Sequence, residues 1–391
     1  MKVLHVNTND QGGAATAITR IHLGLLKKGV DSKLLLLNKR KEIPESYAFK
    51  NNDSLIEKVY KRFMGFFRES AKAIRKKYPE IEWFTNPVSS YDITKHPLYN
   101  EADIIQLNWI SGFVDEPSFF AKNNKPVVWR MPDLYACGGG YHYEKAFPFS
   151  SIQSTLLKNE RIRKRAIENA NLTFVPISNW VKEKAKSSSV IESFPMQVIH
   201  NGLEYATWQP KDKLEARKYF NIPSDKKIIL LGADLTQIER KGFQKAIEAI
   251  QKLNNPDILT VVFGNYKKEL PEGFLKVGKV HSEIELTKLY SAADYFLMSS
   301  IEEAFGQVTI EALSCGIPVI SFPNGGSLDI INTAINGVLA SDFTVDSLEI
   351  AIRNAISITF DSNKIIEDVK RRFNNDDKVE AYYNLYQKLL S

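Results

Sequence analysis

Short apolar runs alternate with segments of helical period along this chain, in two successions divided by one polar stretch. The first holds "KVLHVN", "SKLLLLN", "DIIQLNW" (103–109), "PVVWRM" (126–131), "LTFVPIS" (172–178) and "QVIHNG" (197–202). The second holds "KIILLGA" (227–233), "LTVVFGN" (259–265), "DYFLMSS" (294–300) and "PVISF" (318–322). Runs this continuous suit strands buried on both faces, as in parallel sheets covered by helices. The stretch 203–227 between them is charged and carries prolines, so a domain linker is expected at its start. A length of 391 residues also suits two domains rather than one core. The expected fold class is α/β, with two doubly wound parallel-sheet domains in series.

Composition narrows the function classes. Cys137 and Cys315 are too few and too scattered for a disulfide framework or a thiolate metal site. The start, "MKVLHVNTND", has none of the regions of a signal peptide. No uncharged apolar run approaches the roughly 18 residues of a membrane span. The cytoplasm is the expected location. The net charge of +6 is matched by one segment, 56–78 ("IEKVYKRFMGFFRESAKAIRKKY"), whose apolar residues fall near helical spacing. Such a basic amphipathic helix can lie on the inner face of an anionic membrane; a core-packed helix with a solvated basic face is the plainer alternative. No basic stripe elsewhere accompanies a nucleic-acid motif, so no nucleic-acid partner is expected.

The segment "EEAFGQVTIEALSCGIPVI" (302–320) carries the most chemistry. It reads as a loop after a strand, a helix over "QVTIEALS", and Gly316 as its C-terminal cap. Backbone amides at Gly306, Gln307 and Val308 are then unpaired first-turn donors, suited to an anion such as a diphosphate. Glu311 on the second turn can accept bonds from a vicinal diol such as a ribose, and Glu303 lies before the helix. Carboxylates beside a phosphate site make sense where they bind hydroxyls; a capped surface helix with incidental acids is the alternative. "ERKGF" (239–243) offers Arg240 and Lys241 to a leaving diphosphate, and "FPNGGSLDI" (322–330) is a second glycine loop opening a helix. In the first half, "NDQGGAAT" brings backbone into reach of a ligand through Gly12 and Gly13. It is not G-x-G-x-x-G, and its second strand ends in Asn38, so a dinucleotide cofactor is disfavoured. Six histidines without paired spacing give no ground to expect a metal site.

Together these residues resemble the retaining glycosyltransferases of family 4. "EEAFGQVTIEALSCGIPVI" is similar to their E-x7-E signature, and "RKGF", "YSAADYFLMSS" and "GGSLDII" to its companion motifs in order and spacing. "PISNW" (176–180) and "HNGLE" (200–204) resemble the stretch closing the family's first domain. "DITKHPLYNEADIIQLNW" and "WRMPDLYACGGGYHY" resemble a subgroup that builds capsular polysaccharide and exopolysaccharide. The resemblance implies a GT-B fold, two Rossmann-like domains facing a central cleft. The implied boundaries are 1–203 for an acceptor-binding domain, 204–372 for a nucleotide-sugar-binding domain, and 373–391 for a helix returning to the first domain.

It further implies that Glu303, Lys241 and Arg240 are catalytic. Glu303 would hold hydroxyls of the donor sugar, and the two cations would neutralise the departing diphosphate. Glu311, Gly306, Gln307, Val308, Gly12, Gly13 and Val280 would bind the donor, a nucleotide-diphosphate sugar. Asp133, His142, Tyr143 and Asn108 would bind a glycan or lipid-linked glycan acceptor. The implied enzyme is retaining and needs no metal or other cofactor. The match departs from the family at Ala233, where an arginine is usual, and at Pro132, Gln106 and Asn108, where histidines are usual. These departures leave two rivals: a GT-B protein that binds nucleotide sugars but has lost catalysis, and an inverting transferase or epimerase with Asp133 or Asp10 as base.

Overall fold

The computed structural model describes residues 1–50, 71–79, 81–145, 147–232, 238–266, 269–280 and 282–391. The chain divides into two compact units, Met1–Asn201 with Asn375–Ser391, and Gly202–Asn374.

The first unit is built on strands β1 (Lys2–Asn9), β2 (Asp31–Asn38), β3 (Ser46–Ala48), β4 (Ile104–Leu107), β5 (Val127–Met131) and β6 (Leu172–Pro176). They pair in parallel in the order β3-β2-β1-β4-β5-β6. The second unit has β7 (Lys227–Gly232), β8 (Ile258–Phe263), β9 (Phe274–Gly278), β10 (Tyr295–Met298), β11 (Val319–Ser321) and β12 (Gly337–Leu339). These also pair in parallel, in the order β12-β11-β10-β7-β8-β9. Counted within its own unit, each sheet has the same order, 3-2-1-4-5-6. The expected α/β class with two doubly wound parallel sheets is what the chain adopts. In such a sheet the direction of winding reverses between the first and fourth strands, opening a crevice beyond their carboxyl ends. That crevice falls between β1 and β4 in one unit and between β7 and β10 in the other.

The apolar runs give strands because both faces of each central strand are covered. All residues of β4, β5 and β10 are buried. In the second unit the helix Phe243–Leu253 buries Phe243, Ala246, Ile247, Ile250 and Leu253, one stripe at helical spacing, against Ile229, Leu231 and Leu297 of the sheet. In the first unit Ile18, Ile21 and Leu25 of the helix Gly13–Lys27 share a core with Val379, Tyr382 and Tyr386 of the helix Asn375–Leu390.

One expected strand, 197–202, does not form. Its backbone runs beside β6, with Phe174 N donating to Pro195 O (2.9 Å), and Gln197 N and Ile199 N donating to Phe174 O and Pro176 O (both 3.1 Å). Pro176 has no N–H to return, so the ladder stops after the isolated Phe174–Met196 bridge. Of the basic segment 56–78, residues 56–70 lie outside the described residues; Ala71–Lys77 is a helix with Ile74 buried. Ala233 also lies outside them. No helix among the described residues is long and apolar enough to cross a membrane.

Candidate functional site

The crevice of the second unit is walled by the turn Glu239–Lys241 and by the loop after β10. After β7 the chain returns as a 3-10 turn, Glu239–Lys241, and Gly242 then opens the helix Phe243–Leu253 from a left-handed conformation (φ +60°). A side chain at Gly242 would run into the Ser299 carbonyl. That close approach ties the turn to the loop after β10, where Ile301 N donates to Arg240 O and Ser299 Oγ to Lys241 O, both at 2.8 Å.

Glu303 stands where the two loops meet. Its carboxylate accepts from Lys241 Nζ at 2.7 Å and lies 3.8 Å from Arg240 Nη1. Burial alone would raise the Glu303 pKa, but Lys241 and then Arg240 outweigh it and hold the group below its ordinary value. Arg240 is itself buried and spends Nη1 on the Glu302 carbonyl at 2.7 Å, which braces the loop. Lys241 is the more exposed cation, at 18% of its side chain.

Beyond the loop, Gly306 (φ +93°) caps the helix Gln307–Ser314 with no side-chain hydrogen bond. Gln307 is the first residue of this helix, and both polar atoms of its side chain are buried without a hydrogen-bond partner; so is Thr309 Oγ1. These orphaned groups stand beside first-turn amides at the carboxyl end of the sheet, the place for an anionic or hydroxylated ligand. Glu311 lies on the buried side of the same helix, 7% exposed. Burial, and after it the Glu311 carboxylate, push the Tyr290 hydroxyl well above its ordinary value and Cys315 up to about 12.

A third loop completes the wall. Asn324 caps the helix Gly325–Ile330, accepting from Ser327 N at 3.0 Å, and its amide reaches back to Ser300 O at 2.9 Å. Gly326 N donates to Glu303 O at 2.8 Å, and any side chain at Gly326 would overlap the Phe305 carbonyl. The glycine loop therefore positions the acidic loop. Val280 is half-buried and follows β9, at the far edge of this sheet.

In the first unit Gly12 and Gly13 are exposed at the start of the helix after β1. His142 Nδ1 meets Asp133 Oδ2 at 2.7 Å and Nε2 meets Thr85 Oγ1 at 2.9 Å, with Thr85 also bonded to Ser111. With Asp133 as acceptor, a neutral His142 carries its proton on Nδ1 and accepts from Thr85. The imidazole is 1% exposed and stacks on Tyr135 at 5.1 Å. Asn108, also 1% exposed, is committed inward, accepting from Gln106 Nε2 at 2.9 Å. Tyr143 follows His142 in the same loop. Sequence reasoning missed Thr85 and Trp83. Trp83 is 37% exposed and packs edge-on against Trp109 at 5.3 Å, so an aromatic surface adjoins the histidine. The signal was present in "EWFT", an exposed aromatic beside a hydroxyl residue. Among the described residues no three His, Cys, Asp or Glu side chains converge as metal ligands.

Residues 212–372 match the family described as glycosyl transferases group 1. An uncharacterized glycosyltransferase of Methanocaldococcus jannaschii is 25% identical over 54% of this chain and 59% of its own length. The O-antigen biosynthesis glycosyltransferase WclY of Escherichia coli is 27% identical over 51% of this chain and 57% of its own. The matched region thus spans less than two thirds of these relatives. Among solved structures, the sucrose-phosphate synthase of Thermosynechococcus elongatus superposes with a TM-score of 0.72 at 17% identity, covering 100% of this chain and 99% of that one. HepE of Anabaena, solved in complex with UDP and glucose, does so with a TM-score of 0.71 at 15% identity, covering 99% of each. The chain has the GT-B fold of these neighbours, and its residues 212–372 are similar to the glycosyl transferases group 1 family.

Proposed function

We propose that this chain is a retaining, metal-independent glycosyltransferase. It moves a hexose-type sugar from a nucleoside-diphosphate sugar to a glycan or lipid-linked glycan acceptor in surface-polysaccharide biosynthesis. The observation that carries this reading is the Lys241–Glu303 pair at 2.7 Å, set at the β7/β10 crevice beside the start of the helix Gln307–Ser314, which has no side-chain cap. The first-turn amides and Lys241 receive the diphosphate, and Arg240 supports through the loop it braces. Glu311 takes the ribose, and Glu303 takes hydroxyls of the donor sugar. As the bond between anomeric carbon and phosphate oxygen breaks, charge grows on the diphosphate, where Lys241 stabilises it. The acceptor hydroxyl attacks from the same face and passes its proton to the departing phosphate oxygen, so no enzymic nucleophile is needed.

Trp83 and Trp109, next to Asp133 and His142, offer an apolar surface of the kind that sugar rings stack on. The name of the Escherichia coli relative and the UDP-bound Anabaena structure support the class of product and donor. Peripheral membrane contact through 56–78 would bring the enzyme to lipid-linked acceptors.

Thermal unfolding against UDP, GDP, ADP, CMP and their sugars tests the donor site. Near 100 times Kd, a bound nucleotide adds about 2.7 kcal/mol, a shift of a few degrees, which Glu311→Ala should abolish. The anomeric configuration of the product, read by NMR, tests retention, and a chelator should leave turnover unchanged. No shift with any nucleotide would overturn the donor site in favour of a partner-binding protein.

A further inference from the structure

In the first unit a groove of about 820 Å³ lies between the helices Glu116–Lys122 and Gln153–Ile167, and it shares no residue with the sites above. The second helix buries Leu156, Asn159, Arg163 and Ile167, one face at helical spacing. Arg163 fixes its rotation: the guanidinium grips Glu116 with Nε–Oε2 at 2.8 Å and Nη2–Oε1 at 3.0 Å, both side chains 0% exposed. With that face locked inward, Lys158, Arg161 and Arg165 line one side of the groove, while Pro117, Phe120 and Ile162 form an apolar floor. None of the three cations has a hydrogen bond or an ion pair to a carboxylate among the described residues. Spaced at i, i+3 and i+7, they repel one another.

The volume is that of a ligand site. Apolar floor and unneutralised cationic wall together select an amphiphilic anion. A small hydrophilic anion would use the wall and leave the floor wet. Leu157, 42% exposed one turn before Arg161, extends the apolar surface outward beside the charges. We propose that this groove binds an anionic phospholipid at a bilayer surface, its phosphate against Lys158, Arg161 and Arg165 and the start of an acyl chain over Phe120 and Ile162. The groove draws no lining residue from the segment 56–78, and the proposal is independent of the transferase reading, because lipid binding is read without any sugar substrate.

The test is flotation of the full chain with phosphatidylcholine vesicles, with and without phosphatidylglycerol. Three proteins are compared: wild type, Lys158→Gln/Arg161→Gln/Arg165→Gln, and Ala166→Trp, which plugs the groove and keeps every cation. Circular dichroism confirms that each is folded. Wild type should float only with phosphatidylglycerol, and removing three cations should weaken binding on the order of 100-fold. Ala166→Trp should also weaken it, because filling the groove displaces the lipid. Three results overturn the proposal: a wild type indifferent to phosphatidylglycerol, a triple variant that floats like wild type, or an Ala166→Trp protein with undiminished binding, which would mean that surface charge alone makes the contact.

Discussion

Replacing Lys241 with methionine removes a charge and keeps most of the stem, so it isolates the cation's part in the crevice. Glu303 has Lys241 at 2.7 Å and Arg240 at 3.8 Å, and its side chain is 14% exposed. At an effective dielectric near 20 these attractions are roughly 6 and 4 kcal/mol, gross values before desolvation. The variant loses the larger one, yet Arg240 keeps Glu303 from being an orphaned charge. Solvent reaches both members of the lost pair, so the net cost to folding should be about 1–3 kcal/mol, below the 3–5 of a fully buried broken pair. The pH dependence separates this from generic damage. In the wild type the Glu303 pKa is lowered, so its stabilisation is present above the unfolded value of about 4.3 and is lost as pH falls through the folded value. In Lys241→Met burial is less opposed and the pKa rises. The ionised group then penalises the fold at neutral pH, and protonation relieves it. Urea unfolding should show a gap between the two proteins that is widest near pH 7 and narrows toward pH 4. Transfer should fall by about 10²–10³, the loss expected when one stabilising group at a developing charge is removed. A gap that is constant or widens on acidification would refute the electrostatic account of Glu303. Turnover within a few-fold of wild type would refute the role of Lys241 at the leaving group.

Gly326→Ala should destabilise the second unit by about 1–3 kcal/mol, because the new Cβ overlaps the Phe305 carbonyl and the loop that holds Glu303 must move. Nucleotide-induced stabilisation should weaken in the same protein; an unchanged response would show that the acidic loop does not depend on the glycine turn. Glu116→Ala should cost about 3–5 kcal/mol in urea unfolding, since it strands the Arg163 guanidinium in the core. Glu116→Gln, which can still accept from Arg163 and Tyr135, should cost less.

How much of the fold was legible in the sequence depends on burial. The central strands are covered on both faces, so their apolar runs are unbroken and easily read. The short outer strands are not: Ser46–Ala48 has two exposed residues, and Phe274–Gly278 has none that is fully buried. Without a two-sided core to fill, those segments need no continuous hydrophobic pattern, and sequence reasoning passed over them. The run at 197–202 was misread for the opposite reason. Its apolar residues pack beside β6, but a proline in that strand denies them a ladder. At the site, Glu303, Lys241 and the helix Gln307–Ser314 were readable as local motifs. Their meeting was not, because Lys241 and Glu303 become neighbours only once β7 lies beside β10. Asp133 and His142 stood out locally, but the bond from Thr85 to His142 and the Glu116–Arg163 pair could not be read from the sequence, since each joins residues far apart in the chain.

The two glutamates around the helix Gln307–Ser314 are placed in unlike surroundings, which bears on how carboxylates can sit beside a phosphate site. Glu303 is kept ionised by two cations, whereas Glu311 adjoins the hydroxyl of Tyr290 and the thiol of Cys315, both kept protonated. An arriving diphosphate therefore meets a neutralised Glu303, not a bare one. Under the proposed reading, Lys241, with its long stem and 18% exposure, can turn from Glu303 toward the phosphates. That exchange frees the carboxylate to accept sugar hydroxyls at the moment the donor supplies them. The resting ion pair and the loaded site are then alternative uses of the same charges. The cost of opening Lys241–Glu303 is offset only by a ligand bearing both phosphate and a donor sugar's hydroxyls, so a free nucleoside, with neither to trade, should not open it.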